Sequence, residues 1–152
     1  MVFPPSKAMA QALDEARAAA ARGEVPVGAV ISDAAGAIIA SAGNRTRERS
    51  DPTAHAELLA IRAACAALGS ERLTGCTLTV TLEPCAMCAA AISAARVERL
   101  VYGASDPKSG GVEQGARVFS HPQAHHRPEV IAGVAEAECA ALLKDFFAAR
   151  RV

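Results

Sequence analysis

The stretch Glu83-Pro84-Cys85-Ala86-Met87-Cys88 constrains this chain more than any other. It follows an apolar, β-branched run from Cys76 to Thr81 and leads into Ala89-Ala90-Ala91-Ile92. That order reads as a strand, a stop at the proline, and a helix. Cys85 and Cys88 are three apart and so share one face of the first helical turn. Unpaired amides at a helix N-terminus favour negative charge, which makes both thiols easier to ionise. Two thiolates grip a borderline cation but leave a tetrahedral ion short of ligands. His55 offers the next ligand, just after Asp51-Pro52-Thr53, which is itself a helix-start signal.

Taken alone, Cys-x-x-Cys also fits a redox pair or half of a structural zinc site. A redox dithiol has no need of a distant histidine, and a structural zinc site has four protein ligands. Cys65 lies on an apolar helical stripe, Cys76 opens a strand, and Cys139 sits within the last helix. In such places a free cysteine acts as a small hydrophobe. His55, Cys85 and Cys88 with an open fourth position therefore mark a catalytic zinc. Glu57, two residues beyond His55, points away from it along a helix, yet at the helix end both reach one site.

Length and composition set the frame. At 152 residues the chain is expected to form one domain, 1–152. No apolar stretch is long enough to span a membrane, and Met1 to Ser6 lacks the apolar core of a signal peptide, so a cytoplasmic protein is expected. Five cysteines in that reducing setting point to metal or catalysis rather than disulfides. Lys+Arg and Asp+Glu are both 16, so any nucleic-acid surface has to be local.

Along the chain, Ser6 caps a helix through Met9, Leu13, Ala16 and Ala20 that stops at Gly23. Strands are expected over 25–31 and 37–41, joined by a turn at Asp33-Ala34-Ala35-Gly36. A polar loop from Gly43 to Arg49 precedes a helix from Thr53 to Leu68 carrying Leu58, Ile61 and Cys65. After the strand and cysteine helix come a strand over 99–103 and a long Gly-, Ser- and Asp-rich loop from Ala104 to Ala116. A strand over 129–134 and a helix over 136–151 close the chain, with Leu142, Leu143, Phe146 and Phe147 as the helix's apolar stripe. The alternation predicts an α/β fold, a mixed five-stranded sheet with helices on both faces.

The His-x-Glu and Pro-Cys-x-x-Cys pair resembles the signature of the zinc nucleobase deaminases. The likeness extends to the bacterial tRNA-specific adenosine deaminases through Glu24 to Val30, Asn44-Arg45, Asp51 to Glu57, Thr81 to Cys88, Asp106 to Gly110 and Phe146 to Arg151. It implies a cytidine-deaminase-like α/β/α sandwich, one Zn2+ per chain, and a homodimer whose subunits complete each other's sites. It further implies hydrolytic deamination of adenosine to inosine at the wobble position of a tRNA anticodon, with arginine tRNA the expected substrate. Glu57 is then the proton carrier, and Asn44, Val27, Ala56, Leu82 and Asp106 the substrate-binding residues. A deaminase of a free purine such as guanine would keep the same zinc core. The chain departs from the family pattern at Ala90, His125 and Pro128. Arg45, Arg47, Lys108, His126, Arg127, Arg150 and Arg151 are candidates for RNA phosphate contacts, although such charge also suits a merely solvated face.

Overall fold

Among the described residues the fold is built from five short strands and four α-helices, and the order of residue types explains where each begins and ends. The computed structural model describes residues 6–150. Met1–Pro5 and Arg151–Val152 lie outside the described residues, and with them most of the N-terminal signal-peptide reading and one basic candidate, Arg151. Helix α1 (Lys7–Ala21) is capped by Ser6, whose side chain accepts the Met9 N–H at 3.2 Å. It ends before Gly23, which takes a left-handed φ of 84°. Its buried stripe is Met9, Ala12, Leu13, Ala16 and Ala19.

Strands β1 (Gly28–Ser32) and β2 (Ile38–Gly43) form the expected antiparallel hairpin. Helix α2 (Ala56–Leu68) begins three residues later than the sequence predicts. The Asp51 carboxylate accepts both the Thr53 N–H and its hydroxyl, at 2.8 and 2.7 Å. The helix-start signal is thereby spent on a turn, and His55 becomes the cap residue. The buried face of α2 is also rotated from the expected one: Ala56, Leu59, Ala60, Ile61 and Ala64 face inward, while Leu58 and Cys65 are half-buried.

Strand β3 (Thr77–Leu82) runs into α3 (Ala86–Ala94), and β4 (Arg99–Ala104) returns parallel to β3. Strand β5 (Glu129–Ile131) is shorter than predicted. Positive φ values at Gly133 (79°) and Ala135 (54°) bend the chain off the ladder, although the Val134 N–H still reaches the Tyr102 carbonyl. Helix α4 (Glu136–Ala148) buries Cys139 and Phe146. Phe147, expected in its apolar stripe, is 46% exposed instead.

The sheet order is β2-β1-β3-β4-β5, antiparallel on the hairpin side and parallel beyond it. Helices α1 and α4 cover one face and α2 and α3 the other. This is the expected three-layer sandwich with a mixed sheet. Alternating side chains of β1 serve both faces, Val30 toward α1 and α4, Ala29 and Ile31 toward α2 and α3. No helix among the described residues is long and apolar enough to cross a membrane.

This topology positions the site. The carboxyl ends of β3 and β4, the start of antiparallel β1 and the end of β2 all lie along one edge of the sheet. Val27, Asn44, Glu83 and Ser105 therefore emerge together. Helix α1 approaches the sheet so closely at Gly28 that a Cβ there would lie 1.9 Å from the Ala12 carbonyl oxygen. Gly28→Ala is expected to destabilise the fold by about 3 kcal/mol, at the upper end for overpacking, measured by urea unfolding.

Candidate active site

Two helix N-termini meet at this edge. His55 caps α2 and Cys85 caps α3, and neither side chain is used to cap its own helix. Both are instead turned toward Cys88, one turn into α3. His55 Nδ1 lies 3.6 Å from Cys85 Sγ and 3.4 Å from Cys88 Sγ, and the three ligand atoms fall within 4.8 Å of one another. A tetrahedral zinc with ordinary Zn–S and Zn–N bonds has an S···N edge of about 3.6 Å. The residues present thus fit the metal in both donor type and spacing.

Protonation of the three groups is shared. Hydrogen bonding from Cys88, then from His55, holds the Cys85 thiol at about 4. Cys88 is pushed far up, first by the Cys85 anion and then by burial. His55 is held above its ordinary value by its hydrogen bond to Cys85. A divalent cation takes the place of those shared protons, which is why such sites release acid on metal binding. Cys65, Cys76 and Cys139 are pushed up by burial and lie outside the cluster, as the hydrophobe reading expects.

Glu57 lies in the first turn of α2, is 4% exposed, and is no member of the triad. Burial pushes its carboxyl up to about 7. It shares a cavity of about 270 Å³ with His55, Cys85, Val25, Val27, Asn44, Thr46, Leu82, Glu83, Asp106 and Ser109. Four of the five expected substrate-binding residues therefore line one space. The fifth, Ala56, is fully buried and does not line it; its N–H is donated to Asn44 Oδ1 at 3.2 Å. That bond limits how Asn44 can meet a ligand. Its oxygen is committed to the start of α2, so its amide NH2 is the part left to address a ligand.

The basic candidates separate. Lys108 and Arg150 line a groove of about 650 Å³ that shares Val25, Leu82, Asp106 and Ser109 with the cavity. Phe147, assigned to the core by its spacing, lines the same groove. Arg150 is fixed there by stacking 3.5 Å over the Phe146 ring and by donating to the Phe146 carbonyl. Arg47 lines a different cleft with Arg22 and Glu48, and Arg45 is paired with Glu48 at 2.6 Å. His126 is structural: its ring meets the Val97 carbonyl at 2.9 Å, and its backbone carbonyl and N–H both bond to the Ser93 hydroxyl. Arg127 is exposed and lines neither the cavity nor the groove. Ala90 and His125, two of the departures from the family pattern, line a separate cavity of about 310 Å³.

Sequence reasoning missed two buried carboxylates. Glu24 accepts the N–H groups of Arg47 and Glu48 and the Thr46 hydroxyl, fixing the loop after Asn44. Glu83 accepts from the loop that follows β4. An acid beside an apolar strand, as in Glu24-Val25 and Leu82-Glu83, was the available signal.

A catalytic zinc site on a mixed α/β/α sandwich defines a hydrolytic deaminase class, and the comparisons agree. Residues 4–104 match the cytidine and deoxycytidylate deaminase zinc-binding region. The chain belongs to that family, in its tRNA-specific adenosine deaminase branch. It is 59% identical to the tRNA-specific adenosine deaminase of Agrobacterium fabrum over 95% of this chain and 94% of that one. It is similar to a solved tRNA:A34 deaminase, 60% identical with a TM-score of 0.88, across 90% of this chain and 98% of that one. A guanine deaminase from Nitrosomonas europaea is 25% identical with a TM-score of 0.81, across 97% of this chain and 87% of that one. The fold and the zinc cofactor expected from sequence both stand.

Two outcomes test the site. Cys85→Ala should empty the metal, whereas Cys139→Ala should keep one zinc per chain, read by metal analysis; equal loss in both would refute the ligand set. The second concerns acid. Burial alone would raise Glu24, but the donors from Glu48, Arg47 and Thr46 outweigh it and hold the carboxyl below its ordinary 4.5. A lowered folded value gives stability that is fully present above the unfolded value and lost as pH falls through the folded one. The stability gap between the native chain and Glu24→Gln should thus be largest near pH 7 and shrink below about pH 4.5. Because metal loss in acid is common to both proteins, it cancels from this difference.

Proposed function

We propose that the protein deaminates adenosine to inosine at the wobble position of a tRNA anticodon. The observation that carries this reading is the continuity of the Glu57 cavity with the groove of Lys108, Phe147 and Arg150. A free base needs only an enclosed pocket. A nucleotide within a strand needs a route for its neighbours, with cationic groups for phosphates and an aromatic face for stacking. The similarity to tRNA-specific adenosine deaminases supports the same substrate. Arginine tRNA, a homodimer as the working unit and a cytoplasmic setting complete the reading.

His55, Cys85 and Cys88 hold the zinc. Once bound, the zinc acts as a Lewis acid and lowers the pKa of water at the open position toward neutrality. Val27 and Leu82 flank the flipped adenine with apolar surface, and the Asn44 amide donates to its edge. Glu57 takes a proton from the attacking water and passes it to N1 of the adenine. It then carries the second proton to the amine leaving C6, so that water and adenosine yield inosine and ammonia. Glu57 is suited to this role by place: it is buried in the cavity that His55 and Cys85 also line and is no metal ligand, so its carboxylate is free both to take and to give a proton.

Glu57→Gln should retain zinc and fold but lose at least about a hundredfold in kcat. Turnover of an arginine-tRNA anticodon stem-loop, beside guanine and adenosine, decides the substrate. The stem-loop should be the efficient one. Its binding should weaken more than about tenfold between about 50 and 200 mM salt, as a few phosphate contacts require. Phe147→Ala should weaken it by about 1–3 kcal/mol if a base stacks there. Efficient deamination of guanine with an inert stem-loop would overturn the tRNA reading and leave the zinc chemistry standing.

A further inference from the structure

Glu83 is 2% exposed, yet it is no metal ligand and no ordinary core residue. Its Oε2 accepts the N–H groups of Val112, Glu113 and Gln114 at 3.3, 2.9 and 3.0 Å. Its Oε1 accepts the Asp106 N–H at 3.0 Å and the Ser105 hydroxyl at 3.4 Å. One carboxylate thus gathers both ends of the 105–114 loop, the loop that brings Asp106 and Ser109 to the cavity and Lys108 to the groove.

The loop is tied at the same time to the metal-binding helix. Cys85 and Gly110 form an isolated antiparallel bridge, and the Gly111 N–H donates to the Pro84 carbonyl at 2.8 Å. A Cβ on Gly110 would lie 2.5 Å from the Asp106 carbonyl oxygen and 2.7 Å from the Glu83 Cδ, and one on Gly111 would lie 2.5 Å from the Ala86 nitrogen. The glycine pair is pressed onto the carboxylate on one side and the first turn of α3 on the other. Tyr102 adds a second anchor by donating its hydroxyl to Glu113.

We infer that Glu83 is a positioning residue that fixes the substrate-facing loop in register with the Cys85 end of the zinc site. The inference rests on the deaminase reading for its substrate, but the geometry stands without it. All five donors face an acceptor-only group. A glutamine would have to turn its NH2 toward one of the two donor sets, so one end of the loop must release. Release displaces Asp106, Lys108 and Ser109, while His55, Cys88 and Glu57 are held from other elements.

The test compares the zinc-loaded native enzyme with Glu83→Gln, using three readouts. Metal analysis should give one zinc per chain in both proteins. Hydrogen exchange at the amides of Asp106, Val112, Glu113 and Gln114 should speed up at least tenfold in the variant and stay unchanged at the start of α2. With the stem-loop as substrate, KM should rise at least tenfold and kcat should change less than threefold. Glu57→Gln should do the reverse, losing kcat with KM nearly kept. Glu83→Asp, which draws the carboxylate back by one methylene from the same donors, should shift KM and loop exchange in the same direction, and it carries the test if Glu83→Gln fails to fold. A fall in kcat with unchanged KM, loss of zinc, or unchanged exchange in the loop would overturn the inference. An inert native enzyme would count against the substrate reading alone, because the zinc and exchange readouts still decide the role of Glu83.

Discussion

Everything in the molecule depends on bringing two helix N-termini to one edge of one sheet. A zinc site with an open position needs three ligands whose directions are fixed before the metal arrives. His55 and Cys85 achieve this as cap residues, where the backbone is extended and the side chain is free to turn outward. The same ends carry unpaired N–H groups, which favour the anionic thiolate. Helix α2 is started by a side chain from outside it, because Asn44 Oδ1 accepts the Ala56 N–H. A residue of the cavity wall therefore also sets the angle at which the metal-binding helix begins.

The site is thus a problem of loop control as much as of metal chemistry. Loops carry function because they can vary, but a loop without an anchor does not hold a base to within a fraction of an ångström. Glu24 and Glu83 supply anchors on the two sides of the cavity, each buried and each facing several donors from a loop. Buried carboxylates are costly unless their oxygens are well supplied with donors, and here they are. No buried side-chain nitrogen or oxygen among the described residues lacks a partner.

Much of this was legible in the chain. The strand, proline and cysteine sequence fixed the metal half-site, and the spacing of the apolar runs gave the five strands and their helices. What escaped were features set by tertiary contact rather than by local pattern. Asp51 binds Thr53 and delays α2, an outcome that a capping signal alone does not distinguish from a helix start. Phe147 follows Phe146 directly, so only one of the two can face the core; the helix's rotation, set by Cys139 packing against β4, decides which. His126 has the composition of a surface contact but is bound by Ser93 and Val97, partners far off in sequence. The family resemblance grouped Val27, Asn44, Leu82 and Asp106, which line one cavity, and only the topology explains why residues so scattered meet.

The central claim is that a three-ligand zinc with one open position stands beside an acid that does not bind it. X-ray absorption at the zinc edge tests this most directly, on the native protein and on Glu57→Gln. The account requires two sulfur ligands at about 2.3 Å and two nitrogen or oxygen ligands at about 2.0–2.1 Å, one from His55 and one from solvent, with the same spectrum in both proteins. A third sulfur, or a change in coordination when Glu57 is replaced, would contradict it.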